Sequence, residues 1–312
     1  VARFLIRRLL LTIPVVFGVA TLVFALIHLV PGDPVQAMLG ESASPADIEV
    51  LRARLGLDRP LVAQYAQFLA GIALGDLGTS LRTNAPVTSV IAERLPATVE
   101  LAVAAMTLVI GIGLPLGIMA AVRARRDLDH GVTAVALIGI SVPNFWLGPL
   151  LVIVFSIGLG WLPVSGRGTL AHLILPAVTL AAPLAAVLTR MTRASLLEEL
   201  HQPYVLAARA RGASMMRSVL NHALRNSLIP IVTVLGLQFG TVLTGAVITE
   251  TIFAWPGVGR LLIQSIGFRD YPVVQGCVLL IALTYVSTNL VTDLLYGLLD
   301  PRVRHSSRSS SC

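Results

Sequence analysis

Apolar residues along the 312-residue chain gather into six long runs, at 9–30, 97–122, 131–157, 170–188, 227–249 and 273–299. About 20 apolar residues in a helix rising ~1.5 Å each cross the ~30 Å hydrocarbon layer, so each run is read as a membrane span. The first follows Arg3, Arg7 and Arg8 and is entered from the cytoplasm. It is too long for a cleavable leader, and no small-x-small cleavage site follows it. Pro31-Gly32-Asp33-Pro34 then breaks the helix as it leaves the membrane. The second run carries Glu100 near its start, where the helix dipole favours a carboxylate, so a structural role is weighed above a substrate role. Ser141-Val142-Pro143-Asn144 interrupts the third, and broken helices are tolerated where they face protein or a water-filled path. The fourth run is short and holds Pro176 and Pro183. In the fifth, Gly236, Gly240 and Gly245 are spaced for close helix contact. The sixth holds Gln275, Asn289 and Asp293.

Two polar stretches stand out. Residues 31–96 are mixed in charge and fold outside the membrane. There Ser44-Pro45-Ala46-Asp47 caps one short helix that Gly56 stops, and Asp58-Arg59-Pro60 opens an amphipathic second. Residues 189–226 carry Arg190, Arg193, Arg209, Arg211, Arg217 and Arg225 against Glu198 and Glu199 alone. That bias places the stretch in the cytoplasm. Gln202-Pro203 starts a helix of two turns, Gly212 ends it in the left-handed conformation, and Ser214 caps a second helix running to Asn226. Two short helices with a sharp bend should stand out of the membrane.

Composition agrees with this pattern. The chain is 55% hydrophobic and 12% charged, with a mean hydropathy of +0.84, which excludes an ordinary soluble domain. Its net charge of +7 reports topology rather than nucleic-acid binding, because the arginines sit in particular loops. Fifteen of the 23 fall inside and eight outside; five of those eight lie in the first outer loop, which is long enough for the rule to lose force. Both termini are therefore expected in the cytoplasm. There is no lysine, so no G-x-x-x-x-G-K-[ST] phosphate loop exists in this chain, and any ATP must be hydrolysed by another subunit. Two cysteines, Cys277 in a span and Cys312 at the end, exclude a disulfide framework.

Tyr204-Val205, Ala207-Ala208-Arg209-Ala210-x-Gly212 and His222-Ala223-Leu224-Arg225-Asn226, followed by Leu228-Ile229-Pro230, resemble the permease subunits of ATP-binding-cassette importers, in the peptide and nickel branch. The general signature has Glu where Leu206 stands, and its Ile and Pro positions also differ here. Leu57-Asp58-Arg59-Pro60-Leu61, Gly75-Asp76-Leu77-Gly78, the Arg94-Leu95-Pro96-Ala97-Thr98 string and the segment from Glu250 through Trp255-Pro256-Gly257 to Leu261 are similar to the same family. The resemblance implies an all-α integral membrane protein of six transmembrane helices with the type I ABC importer fold, in the bacterial cytoplasmic membrane. Its expected parts are residues 1–30 with the first span, an outer loop at 31–96, a five-helix core at 97–302 containing the coupling loop at 189–226, and a disordered tail at 303–312.

The implied role is half of a translocation pathway for dipeptides or oligopeptides, with nickel or a metal chelate as the alternative cargo. No cofactor is expected in the chain; ATP and Mg belong to partner ATPases. Expected partners are a second homologous permease, one or two ABC ATPase subunits, an outer solute-binding protein and membrane lipid. Ala207, Ala208, Arg209, Arg211, Gly212 and Arg217 form the expected ATPase-coupling element; an Arg-rich loop resting on anionic headgroups is the plainer alternative. Asn144, Gln238, Gln275 and Asn289 are candidates for lining the route, or for interhelical hydrogen bonds. Asp76, Glu250, Trp255, Pro256 and Gly257 are candidates for the binding-protein side, or for a packed cap. A proton-coupled carrier would need ionisable groups at mid-membrane, and His28, Glu100, His172 and Asp293 sit toward span ends. A hydrolase finds no His-Glu-x-x-His or Gly-x-Ser-x-Gly.

Overall fold

The computed structural model describes residues 2–29, 35, 44–54 and 56–299. The Pro31-Gly32-Asp33-Pro34 break and the expected tail at 303–312 lie outside the described residues. In chain order the helices are α1 (Ala2–Leu29), α2 (Pro45–Arg54), α3 (Leu61–Leu74), α4 (Val87–Val122), α5 (Asp127–Ser141), α6 (Asn144–Leu151), α7 (Leu170–Leu200), α8 (Pro203–Ala210), α9 (Met215–Ser218), α10 (Leu224–Ile252), α11 (Val258–Gly267) and α12 (Tyr271–Leu299). A π-helical segment, Val152–Gly158, continues α6, and another, Val219–Ala223, joins α9 to α10. Among the described residues no strand forms, and one isolated bridge pairs Thr79 with Pro86.

Among the described residues, four helical stretches are long and apolar enough to cross a membrane: Val87–Val122, Leu170–Leu200, Met215–Val242 and Tyr271–Thr292. The third apolar run is not one helix. α5 and the α6 helix with its π continuation meet at an angle of 104°. Val142 is extended (φ −86°, ψ 117°) because the Pro143 ring excludes the helical conformation from the residue before it. α1 carries its apolar part at Leu10–Ala25.

Three helix ends run beyond the apolar runs that predict them. α4 starts at Val87, not at residue 97, and absorbs Pro96. Its early turns are held by burial of Val87 and Ile91 against Val258, Val273 and Cys277. α7 continues past residue 188 to Leu200, so the first part of the expected loop is helix. α10 continues past residue 249 to Ile252, taking Glu250 and Thr251 into the helix.

The core is the packing of α4 on α7, with α10 laid across both. Leu101, Ala105 and Val109 of α4 meet Leu180, Leu184 and Leu188 of α7 and Ile231, Val242 and Ala246 of α10. Inside a bilayer the tails are as apolar as leucine, so such contacts depend on close approach rather than on escape from water. Gly236 shows the requirement directly: a Cβ there would lie 2.2 Å from Cγ2 of Thr292 on α12. Gly240 and Gly245 likewise face Tyr285 and Leu180, as their spacing predicts. α1 lies on the outside of α12 and touches α3, where Tyr65 sits against Phe17 and Phe24.

Candidate functional site

The antiparallel helices bring the chemistry-bearing residues to two opposite ends. At one end the bend between α8 and α9 has the local form its residues predict. Pro203 opens α8 at the first position, Gly212 takes φ +91°, and the Ser214 side chain accepts a hydrogen bond from Arg217 N at 3.3 Å. Val205 and Ala208 turn inward; Val205 joins Val219, Ala223, Leu196, Leu200 and Ala121 of α4 in a separate apolar cluster. The outward face carries Arg209, Arg211 and Arg217 together with Leu206, Met216 and Leu220. Ala207 is exposed, unlike Ala208. The second helix of the bend does not stop at Asn226. It continues through the π turn into α10, because Ser218, Val219, Ala223 and Leu224 all keep right-handed helical angles. Only α8 is a free-standing short helix there.

Long-range polar contacts fix this end. The Tyr204 hydroxyl donates to Glu199 and accepts from Asn226 Nδ2 at 2.9 Å. Withdrawal of the phenol oxygen from water, with the adjacent Glu199 carboxylate, pushes Tyr204 up to about 12, so it stays a donor at physiological pH. Asp129, 2% exposed, accepts from Arg193 on α7 at 2.8 Å and from Arg125 N at 2.9 Å. Sequence reading missed this pair, since its members lie 64 residues apart and neither carries a local signal.

At the other end Glu250 and Trp255, read from sequence as lying in an outer loop, are fully buried. Glu250 Oε1 accepts from the Thr98 hydroxyl at 2.7 Å, and Oε2 accepts from Arg260 N at 3.0 Å in the first turn of α11. Thr98 in turn accepts from Val258 N at 2.8 Å, and Trp255 Nε1 donates to the Ala97 carbonyl at 2.8 Å. Gly257 is obligatory here, since a Cβ would fall 2.1 Å from Glu250 Oε1. These residues form a hub joining α4, α10 and α11, so neither Glu250 nor Trp255 presents a surface to another protein. Pro256 is half-buried beside them, while Asp76 is exposed and accepts from Gly78 N at 2.9 Å. A further tie runs from Ser80 and Leu81 N to the buried Asp270 before α12.

Between the ends, Gln238 on α10 donates to the Leu184 carbonyl at 2.9 Å, and Asn144 lies beside Gly245 of the same helix. Asn144 Oδ1 and Gln238 Oε1 are buried without a partner among the described residues. The other two candidates are elsewhere. Gln275 Nε2 donates to the Val23 carbonyl of α1 at 3.1 Å, and Asn289 lines an otherwise mainly apolar cavity of about 750 Å³ among α1, α10 and α12.

Residues 113–305 match the family described as "Binding-protein-dependent transport system inner membrane component", and residues 1–102 match its N-terminal counterpart. The chain belongs to this family of importer permeases. It is 47% identical to a di/tripeptide transport system permease protein of Pseudomonas aeruginosa, over 97% of this chain and 98% of that one. It is 44% identical to a dipeptide transport system permease protein of Escherichia coli, over 97% and 99%. A glutathione transport system permease protein of Escherichia coli matches equally, at 44% over 97% and 99%. Among solved structures, the inward-facing MetNI methionine ABC transporter superposes with a TM-score of 0.58 at 20% identity, covering 68% of this chain and 96% of that one. That likeness speaks to fold alone. The chain is thus an ABC importer permease of the inner membrane with the all-helical type I fold, a transport subunit that works with ATPase and solute-binding partners.

Proposed function

We propose that this permease carries di- and oligopeptides, pairs with a second homologous permease to enclose the route, and is driven by one or two separate ATPase subunits that bind ATP and Mg. The observation that carries the cargo reading is near-full-length identity of 47% to a permease named for di- and tripeptides. ATP chemistry belongs to the partner because a chain without lysine has no P-loop.

The bend at Gly212 is the proposed contact with the ATPase. Its outward face combines exposed apolar side chains, Leu206, Met216 and Leu220, with Arg209, Arg211 and Arg217. A partner surface with an apolar groove and acidic rim complements it. Val205 and Ala208 anchor the bend, so force applied to it reaches α4 and α7 through the Leu196–Ala121 cluster. Asn144 and Gln238 are proposed wall residues of the route, because each holds a buried amide oxygen with no protein donor, a cost that a passing polar group or water would relieve.

The test is energised uptake by cells with and without this chain, comparing labelled dipeptides, longer peptides and nickel. Loss of peptide uptake alone is expected. Loss of nickel uptake with peptide uptake intact would reassign the cargo.

A further inference from the structure

One cavity differs from the apolar ones. It measures about 430 Å³, is lined by Glu100, Arg167, Gly168, Thr169 and Leu170, and has mainly polar walls. It lies at the hub end, opposite the Gly212 bend, since α4 and α7 both run from this end to the cluster around Val205. Arg167 places Nε and Nη2 on a single oxygen, Glu100 Oε2, at 2.8 and 2.6 Å. Glu100 Oε1 and Arg167 Nη1 have no protein partner among the described residues. The two side chains are 38% and 39% exposed, so the pair is only weakly held and opens readily to a competing ligand.

The surroundings give the pocket two poles. The Arg167 guanidinium carbon sits 5.8 Å from the ring of Trp255, which its bond to the Ala97 carbonyl holds in place. Gly168 and the N-cap Thr169 lead into Leu170, the first residue of the 31-residue α7. Its first backbone N–H groups have no intrahelical acceptor, and that end of the helix favours anions. A capping box takes two of these donors, Thr169 N–H bonding His172 Nδ1 at 3.3 Å and His172 N–H bonding Thr169, which leaves those of Leu170 and Ala171. One wall therefore offers a spare carboxylate oxygen, the other a spare guanidinium donor with a helix N-terminus behind it. A pocket of this size is in the range that holds small ligands.

We propose that this pocket receives the charged termini of a short peptide at the outer mouth of the permease. Arg167 and the α7 N-terminus take the carboxylate; Glu100 takes the ammonium. The inference rests on the peptide reading above and adds a site to it.

The test uses the permease–ATPase complex in nanodiscs, without binding protein, titrated with dialanine, N-acetyl-dialanine and dialanine amide by saturation-transfer NMR. Dialanine is expected to bind, and each capped form to bind at least about tenfold more weakly. Glu100→Gln should weaken dialanine about tenfold and leave N-acetyl-dialanine unchanged. Arg167→Gln should weaken dialanine equally and leave the amide unchanged. An ion pair serving only as a strut would instead weaken all three probes alike on either substitution, and that result overturns the proposal. So does absence of dialanine binding, or equal binding of the capped forms. Uptake by cells carrying the wild-type complex is read in parallel. Peptide uptake without terminus-dependent binding removes this site and keeps the cargo reading; terminus-dependent binding without peptide uptake does the reverse.

Discussion

Replacing Glu250 by alanine tests the hub, because the structure shows what its carboxylate holds. Two donors, the Thr98 hydroxyl and Arg260 N–H, lose their acceptor in a region where Glu250, Trp255 and Gly257 are all buried. Each orphaned buried donor costs about 1–3 kcal/mol, which gives ~2–6 kcal/mol in total before the emptied space is counted. Water entering that space pulls the sum toward the middle, ~4 kcal/mol. At ~2–4 °C per kcal/mol, the melting temperature should fall by roughly 8–16 °C. Glu250→Gln keeps the shape and one acceptor, and the Thr98 hydroxyl can turn to accept from the new amide, so it should lose only about 1 kcal/mol. A probe is already in place. Cys277 is fully buried against Val87, Ile91 and Val258, and in a Cys312→Ser background it is the sole thiol. Its reaction with a thiol-activated fluorophore during heating reports opening of this end. An alanine variant melting within about 2 °C of wild type, or a glutamine variant as damaged as alanine, would refute the hub as the stabilising element.

Two other substitutions separate backbone from packing effects. Gly212 has φ +91° with nothing within 4 Å of an added Cβ, so Gly212→Val is costly through the left-handed conformation alone, by about 1–2 kcal/mol or more; uptake per complex should fall sharply at normal membrane abundance, while Gly212→Asn keeps most of it, and normal uptake by the valine variant counts against the proposed coupling bend. Gly236→Ala forces a Cβ to 2.2 Å from Thr292 Cγ2 and should destabilise by about 1–3 kcal/mol in the same thermal assay. Adding Thr292→Ala should recover part of that loss, and purely additive costs would show that the two helices do not meet there.

The sequence was most legible where one residue type decides the backbone. Gly56 and Gly212 take positive φ, Ser44 and Ser214 cap, and Pro143 breaks the third apolar run. It was least legible where hydropathy stood in for helix length. Hydropathy marks the bilayer, whereas α4, α7 and α10 all run beyond it, held by tertiary contacts at Val87, Leu200 and Glu250. Glu250 and Trp255 were misplaced for a related reason. A carboxylate among turn residues reads as exposed, and nothing local announces that Thr98, 152 residues earlier, supplies its partner. The candidate route residues divide the same way: Asn144 lies beside Gly245 of α10 and Gln238 ties α10 to α7, but Gln275 is committed to α1.

The two ends are joined in a way that limits how access can switch. From Met215 to Ile252 the chain is one helical rod, roughly 57 Å long at ~1.5 Å per residue, whose regular hydrogen bonding is interrupted at the π turn and at Pro230. The rod is tied to α4 twice. Near the bend, Val219 and Ala223 share a cluster with Ala121; at the hub, Glu250 bonds Thr98 and Trp255 bonds Ala97. α7 packs against both α4 and α10. Sliding α4 against α10 would have to break one tie or the other, and packed interfaces of this kind change between discrete arrangements rather than deform continuously. On the proposed coupling, force delivered at the bend moves α4, α7 and α10 as a block. The opening and closing surfaces then lie at the edges of that block, against the bent α5–α6 pair or the proposed second permease. Asn144, which sits where α6 meets α10, is on such an edge, whereas Gln238 is inside the block. Asn144 is for that reason the stronger of the two proposed route residues.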